Sequence, residues 1–90
     1  MGFQDTFKAL SDRTRREILT LLRAGPLSVG EIGSHFDISG ATLSHHLAIL
    51  KQADLIADSK KGKFIYYELN TTVLDDILVW LKSLTEEDAQ

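Results

Sequence analysis

The 90-residue sequence contains no cysteine. This absence excludes disulfide bonds, metal sites built on thiolates and redox sensing by a thiol. Long hydrophobic runs are also absent, since no stretch approaches the roughly 18 apolar residues of a membrane-spanning helix. The N-terminus has no basic segment followed by an apolar one, as a secretion signal would have. We therefore expect a cytoplasmic protein that does not insert into membranes.

The composition of the chain is ordinary for a globular protein, but its charge is unevenly distributed. With 43% hydrophobic and 26% charged residues, we expect one small globular domain over residues 1–84, followed by a frayed acidic tail over 85–90. The formal net charge of −3 is concentrated at the end, because residues 71–90 hold five acids and one base. Residues 1–70 carry nine bases and eight acids. A weakly basic face of this kind can bind DNA.

Two helices are predicted at the start of the chain. Phe3, Phe7 and Leu10 form one apolar stripe on a short first helix. Ser11 or Asp12 then caps a second helix over residues 13–24. Three arginines at positions 13, 15 and 16 lie in its first turn, where the helix dipole disfavours them. They either contact phosphate or a partner carboxylate, or are simply solvated beside a nearby glutamate.

The centre of the chain predicts a helix-turn-helix. Ser28 and Glu31 form a capping box for a short third helix over residues 29–36. Ser39 caps a fourth helix that runs to about Ala53. Two helices joined by so short a turn are typical of this motif.

The fourth helix has a buried stripe and an outward polar face. At about 100° per residue, Leu43, Leu47 and Leu50 face the core, and His46 lies nearer to them than His45 does. The outward positions are small or polar, as a helix entering a major groove requires. They are Ala41, Thr42, Ser44, His45, Ala48 and Gln52. Ser39 and the free N–H groups of the first turn predict a phosphate contact. The alternative is an ordinary solvated helix face.

A basic hairpin is predicted next. Residues 55–59 and 64–69 are rich in β-forming side chains, and Gly62 in the connecting segment 60–63 supplies the positive φ of a tight turn. Ile65, Tyr67 and Leu69 are placed inward. We expect Lys61 and Lys63 to reach DNA phosphates, although exposed basic turns also occur in proteins that bind no DNA.

Thr71 or Thr72 begins a last helix whose apolar face is too wide for one contact surface. We expect part of it to meet Phe3 and Phe7, and the remainder to meet a second subunit. The alternative is a helix docked only on its own core. The residues predicted at the dimer interface are Phe3, Phe7, Leu74, Ile77, Leu78 and Leu81.

Three segments carry a resemblance to a known family: FKALSDRTRREIL (7–19), LSHHLAILKQADLI (43–56) and KGKFIYYELNTTVL (61–74). Together they resemble the ArsR family of winged-helix repressors, and within it short autorepressors similar to the Sdp-operon repressor. The resemblance implies a homodimer formed by the first and last helices, with two recognition helices in successive major grooves. It also implies DNA contacts from residues 39, 42, 44, 45, 61 and 63, and repression by covering a promoter, often the protein's own.

Two departures from the family pattern are visible. Arg13 stands where many members have proline, which is a minor change. Metal-sensing members carry cysteines near the third helix, or a His/Asp set on the last helix. This sequence has no cysteine and no histidine after His46, and neighbouring Asp75 and Asp76 cannot both face one site on a helix. Soft or imidazole ligands at a set spacing are therefore missing, and we expect no metal and no cofactor.

The expected fold is mainly α with a β-hairpin wing, in the order α-α-α-α-β-β-α. The expected function is a dimeric, metal-independent repressor, acting on a pseudo-palindromic operator and regulating its own promoter. One alternative is a repressor of the same fold gated by a ligand or a regulatory protein. A second is a winged-helix module that binds protein and not DNA. An enzyme is the weakest alternative, because no catalytic set or phosphate-binding glycine loop is present.

Overall fold

A computed structural model describes residues 3–86 of the chain. Within that range the helices are α1 (Gln4–Leu10), α2 (Arg13–Leu21), α3 (Val29–Gly33), α4 (Gly40–Gln52) and α5 (Thr72–Thr85). The strands are β1 (Leu27–Ser28), β2 (Ile56–Lys61) and β3 (Phe64–Leu69). Thr85 is the last residue of α5 and Glu86 is its C-cap. The helix therefore extends past residue 84, after which the tail was predicted to begin. The remainder of the predicted tail, 87–90, lies outside the described residues.

The starts of α2, α3 and α4 are fixed by side-chain caps. Asp12 accepts a hydrogen bond from the Arg15 N–H at 3.0 Å, which decides between the two predicted caps of α2. The Ser28–Glu31 capping box is confirmed by reciprocal bonds of 3.2 and 2.8 Å. Ser39 accepts the Thr42 N–H at 3.1 Å. Caps of this type each contribute about 1 kcal/mol.

The core is formed mainly by α2, α3, α4 and the chain that enters the hairpin. Leu43, Leu47 and Leu50 are buried, as predicted, and pack with residues of the other elements. The remaining members of the cluster are Ala9, Ile18, Leu19, Leu22, Ile32, Ala53, Leu55 and Ile56. This cluster fixes α4 in place and leaves its opposite face exposed.

Two helices are shorter than predicted. α2 ends at Leu21, and residues Leu22–Ala24 continue it as a 3₁₀ turn that stops at Gly25, where φ is 138°. α3 ends at Gly33, not Phe36. Glycine is a poor helix former, and the Ser34 hydroxyl donates to the Glu31 carbonyl at 2.7 Å, which closes the last turn.

The hairpin is part of a three-stranded antiparallel sheet in the order β1-β3-β2. β1 is absent from the predicted element order, because two residues are too few to show a strand pattern. Lys60 and Lys61 belong to β2, so the predicted four-residue loop is a two-residue turn, Gly62–Lys63, with Gly62 at φ 63°. Two-residue turns match the twist of paired strands.

The inward set of β3 is only partly as predicted. Tyr67 and Leu69 are half-buried and pack against the core. Ile65 is exposed, because its register position opposite Lys60 lies near the end of the hairpin, beyond the reach of the core.

The first and last helices pack differently from the predicted stripes. α1 contacts the core through Thr6 and Ala9. Of the predicted stripe, Leu10 packs against the core, whereas Phe7 lies outside it. Trp80 of α5 lies against both Phe3 and Phe7, which confirms the expected contact between α5 and these two residues.

Candidate nucleic-acid interface

The first turns of α4 present an exposed polar surface. The Ser39 hydroxyl, which caps the helix, also lies 3.0 Å from the Thr42 hydroxyl and donates to it. Ala41, Ser44 and His45 are exposed beside them. The free N–H groups and the dipole of this helix end favour negative charge. The five residues predicted here are therefore brought together on one accessible helix end.

Adjacent histidines on α4 have opposite environments. His45 is exposed, whereas the His46 side chain is only 13% exposed. The guanidinium of Arg15 approaches His46, with Nη1 3.1 Å from Nδ1. This confirms the assignment of His46 to the buried side of the helix and leaves His45 accessible.

Two of the three arginines of α2, Arg15 and Arg16, make contacts that neither interpretation of the sequence included. Arg15 is buried, and its Nε and Nη2 donate to the carbonyls of Ala9 and Lys8 at 2.8 and 3.2 Å. Arg16 donates to the Leu10 carbonyl at 2.7 Å. Both side chains satisfy carbonyls at the C-terminus of α1, where cations are favoured. The signal for this was the short interval between the end of α1 and these arginines.

The third arginine, Arg13, matches the interpretation of a solvated side chain beside a glutamate. Arg13 is exposed and lies 3.8 Å from the Glu17 carboxylate, one helical turn away. Exposed pairs of this kind contribute little to stability.

Asp12, the cap of α2, has a perturbed pKa. The backbone N–H of Arg15 lowers the pKa of the Asp12 carboxyl below its usual 3.8, partly offset by desolvation. The nearby positive charge of Arg15 lowers that pKa further. The carboxylate is thus held in its charged form, as an N-cap acceptor should be.

The hairpin, which we call the wing (residues 56–69), carries both predicted lysines at its end. Lys61 is the last residue of β2 and Lys63 is in the turn, and both are exposed. The Lys61 ammonium lies 5.9 Å from the centre of the Tyr66 ring, and Lys63 lies 5.8 Å from that of Phe64. Each of the two ammonium groups is therefore within cation–π distance of an aromatic ring.

One ion pair connects the wing to α4. The Lys51 ammonium near the end of α4 donates to the Asp58 carboxylate of β2 at 3.1 Å. The pair is partly exposed and contributes little to stability. Burial of Ile56 in the same cluster as Leu50 connects the wing to α4 more firmly.

Gln52 is separate from the other predicted contacts. It lies ten residues after Thr42, about 15 Å along the helix axis. It borders a cavity of about 100 Å³ with Asp5 and Lys8 of α1. Helical periodicity gave the exposed face of Gln52 correctly, but its position along the axis places it at the opposite end of α4 from the other residues.

The predicted dimer residues divide into two groups. Ile77 is 5% exposed, and Leu74 packs partly against the core, so both serve the single chain. Ile77 was predicted at the dimer interface, but its side chain faces the interior of the single chain. The second group consists of Phe3, which is half-buried, and Phe7, Leu78 and Leu81, which are exposed. Val79, Trp80 and Leu84 of α5 are also exposed, although they lie outside the predicted set.

Metal sites and membrane-spanning helices were also sought among residues 3–86. No three histidine, aspartate or glutamate side chains in that range are grouped as a metal site would need. No helix there is long and apolar enough to cross a membrane.

Comparison with known proteins identifies the architecture. A helix-turn-helix domain family matches residues 10–58. The transcriptional repressor SdpR of Bacillus subtilis is 57% identical over 86% of this chain and 86% of its own length. The arsenical resistance operon repressor of Staphylococcus aureus is 44% identical over 79% of this chain and 68% of its own. The chain belongs to the ArsR family.

Solved structures of ArsR-family proteins have the same fold. An ArsR-like regulator from Rhodococcus superposes with a TM-score of 0.86 at 29% identity, covering 91% of this chain and 75% of that one. HlyU from Vibrio cholerae gives 0.73 at 32% identity, covering 90% and 88%. The expected winged helix-turn-helix is confirmed. ArsR-family proteins are DNA-binding transcription regulators and not enzymes, so this chain is a DNA-binding regulator.

Proposed function

We propose that this ArsR-family member is a repressor that binds a pseudo-palindromic operator as a homodimer. The observation that supports it most directly is the exposed polar end of α4 beside the basic wing. The relatives named above as repressors, one of them 57% identical, support repression as the outcome. A protein that acts on the chromosome in this way works in the cytoplasm.

Each part of the surface has a role in this proposal. Thr42, Ser44 and His45 meet base edges in the major groove, and Ala41 lets the helix approach closely. Ser39 and the first N–H groups of α4 hold a phosphate. Lys61 and Lys63 meet phosphates of the flanking groove, which adds affinity but little sequence preference. Gln52 takes no part.

The exposed apolar side chains of α1 and α5 support the proposed dimer. Phe7, Trp80, Leu78 and Leu81 leave a large apolar area in water, and patches of this kind mark interaction sites. For this proposal to hold, the two-fold axis of the dimer must place the two copies of α4 about 34–36 Å apart, which is the spacing of successive major grooves.

We propose that repression does not depend on a metal. The sequence offers no thiolate, and the donor groups of the described residues are dispersed. Autorepression is part of the same proposal, so the DNA upstream of the protein's own gene is the first probe.

The test is fluorescence anisotropy on that upstream duplex and on a scrambled duplex of equal length. It is run at two salt concentrations, with and without zinc. Selective, salt-dependent binding that zinc does not change supports a metal-independent autorepressor. Loss of binding with zinc contradicts metal independence. Equal and negligible binding to both duplexes favours the protein-interaction module.

A ligand-gated repressor is the second candidate, and one feature favours it. An open groove of about 320 Å³ lies between α2, β3 and α5, lined by Leu19, Leu69 and Leu74 with Thr20 and Arg23. A gated repressor would change its operator affinity when the small-molecule fraction of its host cells is added. A constitutive repressor would not.

A further inference from the structure

Arg15 connects three helices through one guanidinium. Its Nε and Nη2 bond the carbonyls of Ala9 and Lys8, at the end of α1. Its Nη1 bonds Nδ1 of His46, in the middle of α4. Its own backbone N–H binds the Asp12 cap of α2. Arg15 is 8% exposed. Its bond to Ala9 is buried, and its bonds to Lys8, His46 and Asp12 are partly buried.

The chemistry of the Arg15–His46 contact is unambiguous. A guanidinium has donors only, so Nδ1 of His46 must be the acceptor and the ring proton must lie on Nε2. The Asp12 carboxylate lies 3.9 Å from the same Nδ1, beyond hydrogen-bonding distance. His46 is therefore held by a directional bond from α2, in a setting where an unpaired donor would be costly.

Apolar packing holds α4 against the core, and the Arg15–His46 bond adds a directional restraint to it. Leu43, Leu47 and Leu50 hold the helix against the core by contacts that depend little on direction. A rotation or sliding of α4 would shift these packing contacts and would also distort the Arg15–His46 hydrogen bond, whose strength depends on its geometry. The Arg15–His46 bond opposes such movement, and the same guanidinium ties α4 to the C-terminus of α1.

We propose that Arg15 and His46 are positioning residues for DNA recognition. They fix α4 relative to α1, and thereby the direction in which His45 and the first turns of α4 face the operator. The inference rests on the proposed function, in which α1 belongs to the dimer interface and α4 reads the DNA. In such a dimer the relation of α1 to α4 sets the distance between the two recognition helices.

The decisive experiment compares His46→Leu with His46→Asn. Asparagine keeps an acceptor near the position of Nδ1, and leucine fills the space without one. Dissociation constants are measured for the duplex that the wild type prefers and for a scrambled duplex at the same salt, together with the melting temperature. Arg15→Lys is measured as well, although it also weakens the bonds to α1.

We expect His46→Leu to bind the preferred duplex about tenfold or more weakly, which corresponds to the loss of one good base contact. Binding to the scrambled duplex should stay as in the wild type, because the wing lysines are untouched. His46→Asn should recover most of the wild-type preference. A residue that only stabilises the fold would not cause a loss of affinity that is limited to the preferred duplex and is restored by asparagine.

Three outcomes would overturn the inference. His46→Leu could keep the wild-type preference, both affinities could fall together with the melting temperature, or His46→Asn could fail to recover. A wild-type protein that prefers no duplex overturns the proposed function first, and this inference with it. The two failures are thus distinguished before any variant is made.

Discussion

Trp80 of α5 lies against Phe7 of α1, with their ring centroids 6.1 Å apart. Phe3 completes the cluster at 6.2 Å from each of them. Phe7 and Trp80 nevertheless remain 43% and 42% exposed. Aromatic side chains are enriched at protein interfaces, so a cluster that joins two helices and stays half open supports the proposed subunit contact.

Leu78→Asp should convert the proposed dimer into a folded monomer. Leu78 is 61% exposed within one chain, so the substitution should cost the single-chain fold little. A charge buried without a partner in the interface would be strongly unfavourable. Sedimentation velocity gives the oligomeric state, and circular dichroism confirms that the variant is folded. Ser59→Asp adds the same charge in the wing and serves as the control; a Leu78→Asp dimer would contradict the interface.

His45→Ala should weaken binding to the preferred duplex by about 1–3 kcal/mol, as the loss of a base contact does. The side chain is exposed, so stability should hardly change. Gln52→Ala is the matched control on the same helix, because Gln52 lies at the end near α1. Anisotropy titrations of both variants give the comparison. If Gln52→Ala had the larger effect, the proposal that the first turns of α4 contact the bases would be wrong.

Replacing Lys61 and Lys63 by alanine should weaken binding to every duplex and flatten its salt dependence. Removal of one lysine–phosphate interaction lowers the slope of log affinity against log salt by about 0.9. Titrations at several salt concentrations, on preferred and scrambled duplexes, measure that slope. Lys82→Ala removes a single charge from α5, which is outside the proposed DNA-binding surface, and should leave the slope as it is. An unchanged slope in the double variant would show that the wing does not touch DNA.

The Asp12 cap should make stability depend on acid pH. Its folded-state pKa lies below 3.8, so the charged carboxylate contributes stability above that value, and the contribution is lost as pH falls through the folded-state pKa. We expect Asp12→Ala to lower the free energy of unfolding by about 0.5–2 kcal/mol at neutral pH. That difference should shrink below about pH 4.

Urea unfolding of wild type and Asp12→Ala, followed from neutral pH to about pH 3, measures this difference. Asp76→Ala, which removes an exposed carboxylate from α5, controls for the change in net charge. A gap between wild type and Asp12→Ala that stays constant over the whole range would show that the charge of Asp12 contributes nothing.

Local features of the chain were predictable because their causes lie within a few residues. The Ser28–Glu31 box, the Ser39 cap and the glycine turn of the wing each depend on neighbours in sequence. The buried stripe of α4 follows from helical periodicity in the same way. The same local rules also gave the exposed end of α4 and the wing lysines.

The partners of Arg15 could not be predicted in that way. Arg15 and His46 are 31 positions apart in sequence, and only the packing of α1 and α2 against α4 brings them together. β1 likewise exists because β3 passes beside Leu27 and Ser28, and not because two residues form a strand by themselves.

The sequence by itself determined where α3 and α4 begin, which face of α4 is polar and which residues form the basic turn, since short-range hydrogen bonds and periodicity decide these. Tertiary structure alone decided that Ile77 faces inward, that Gln52 lies beside α1 and that Arg15 is buried. The physical reason is that burial and long-range hydrogen bonds depend on how whole elements pack, and periodicity within one element carries no information about its neighbours.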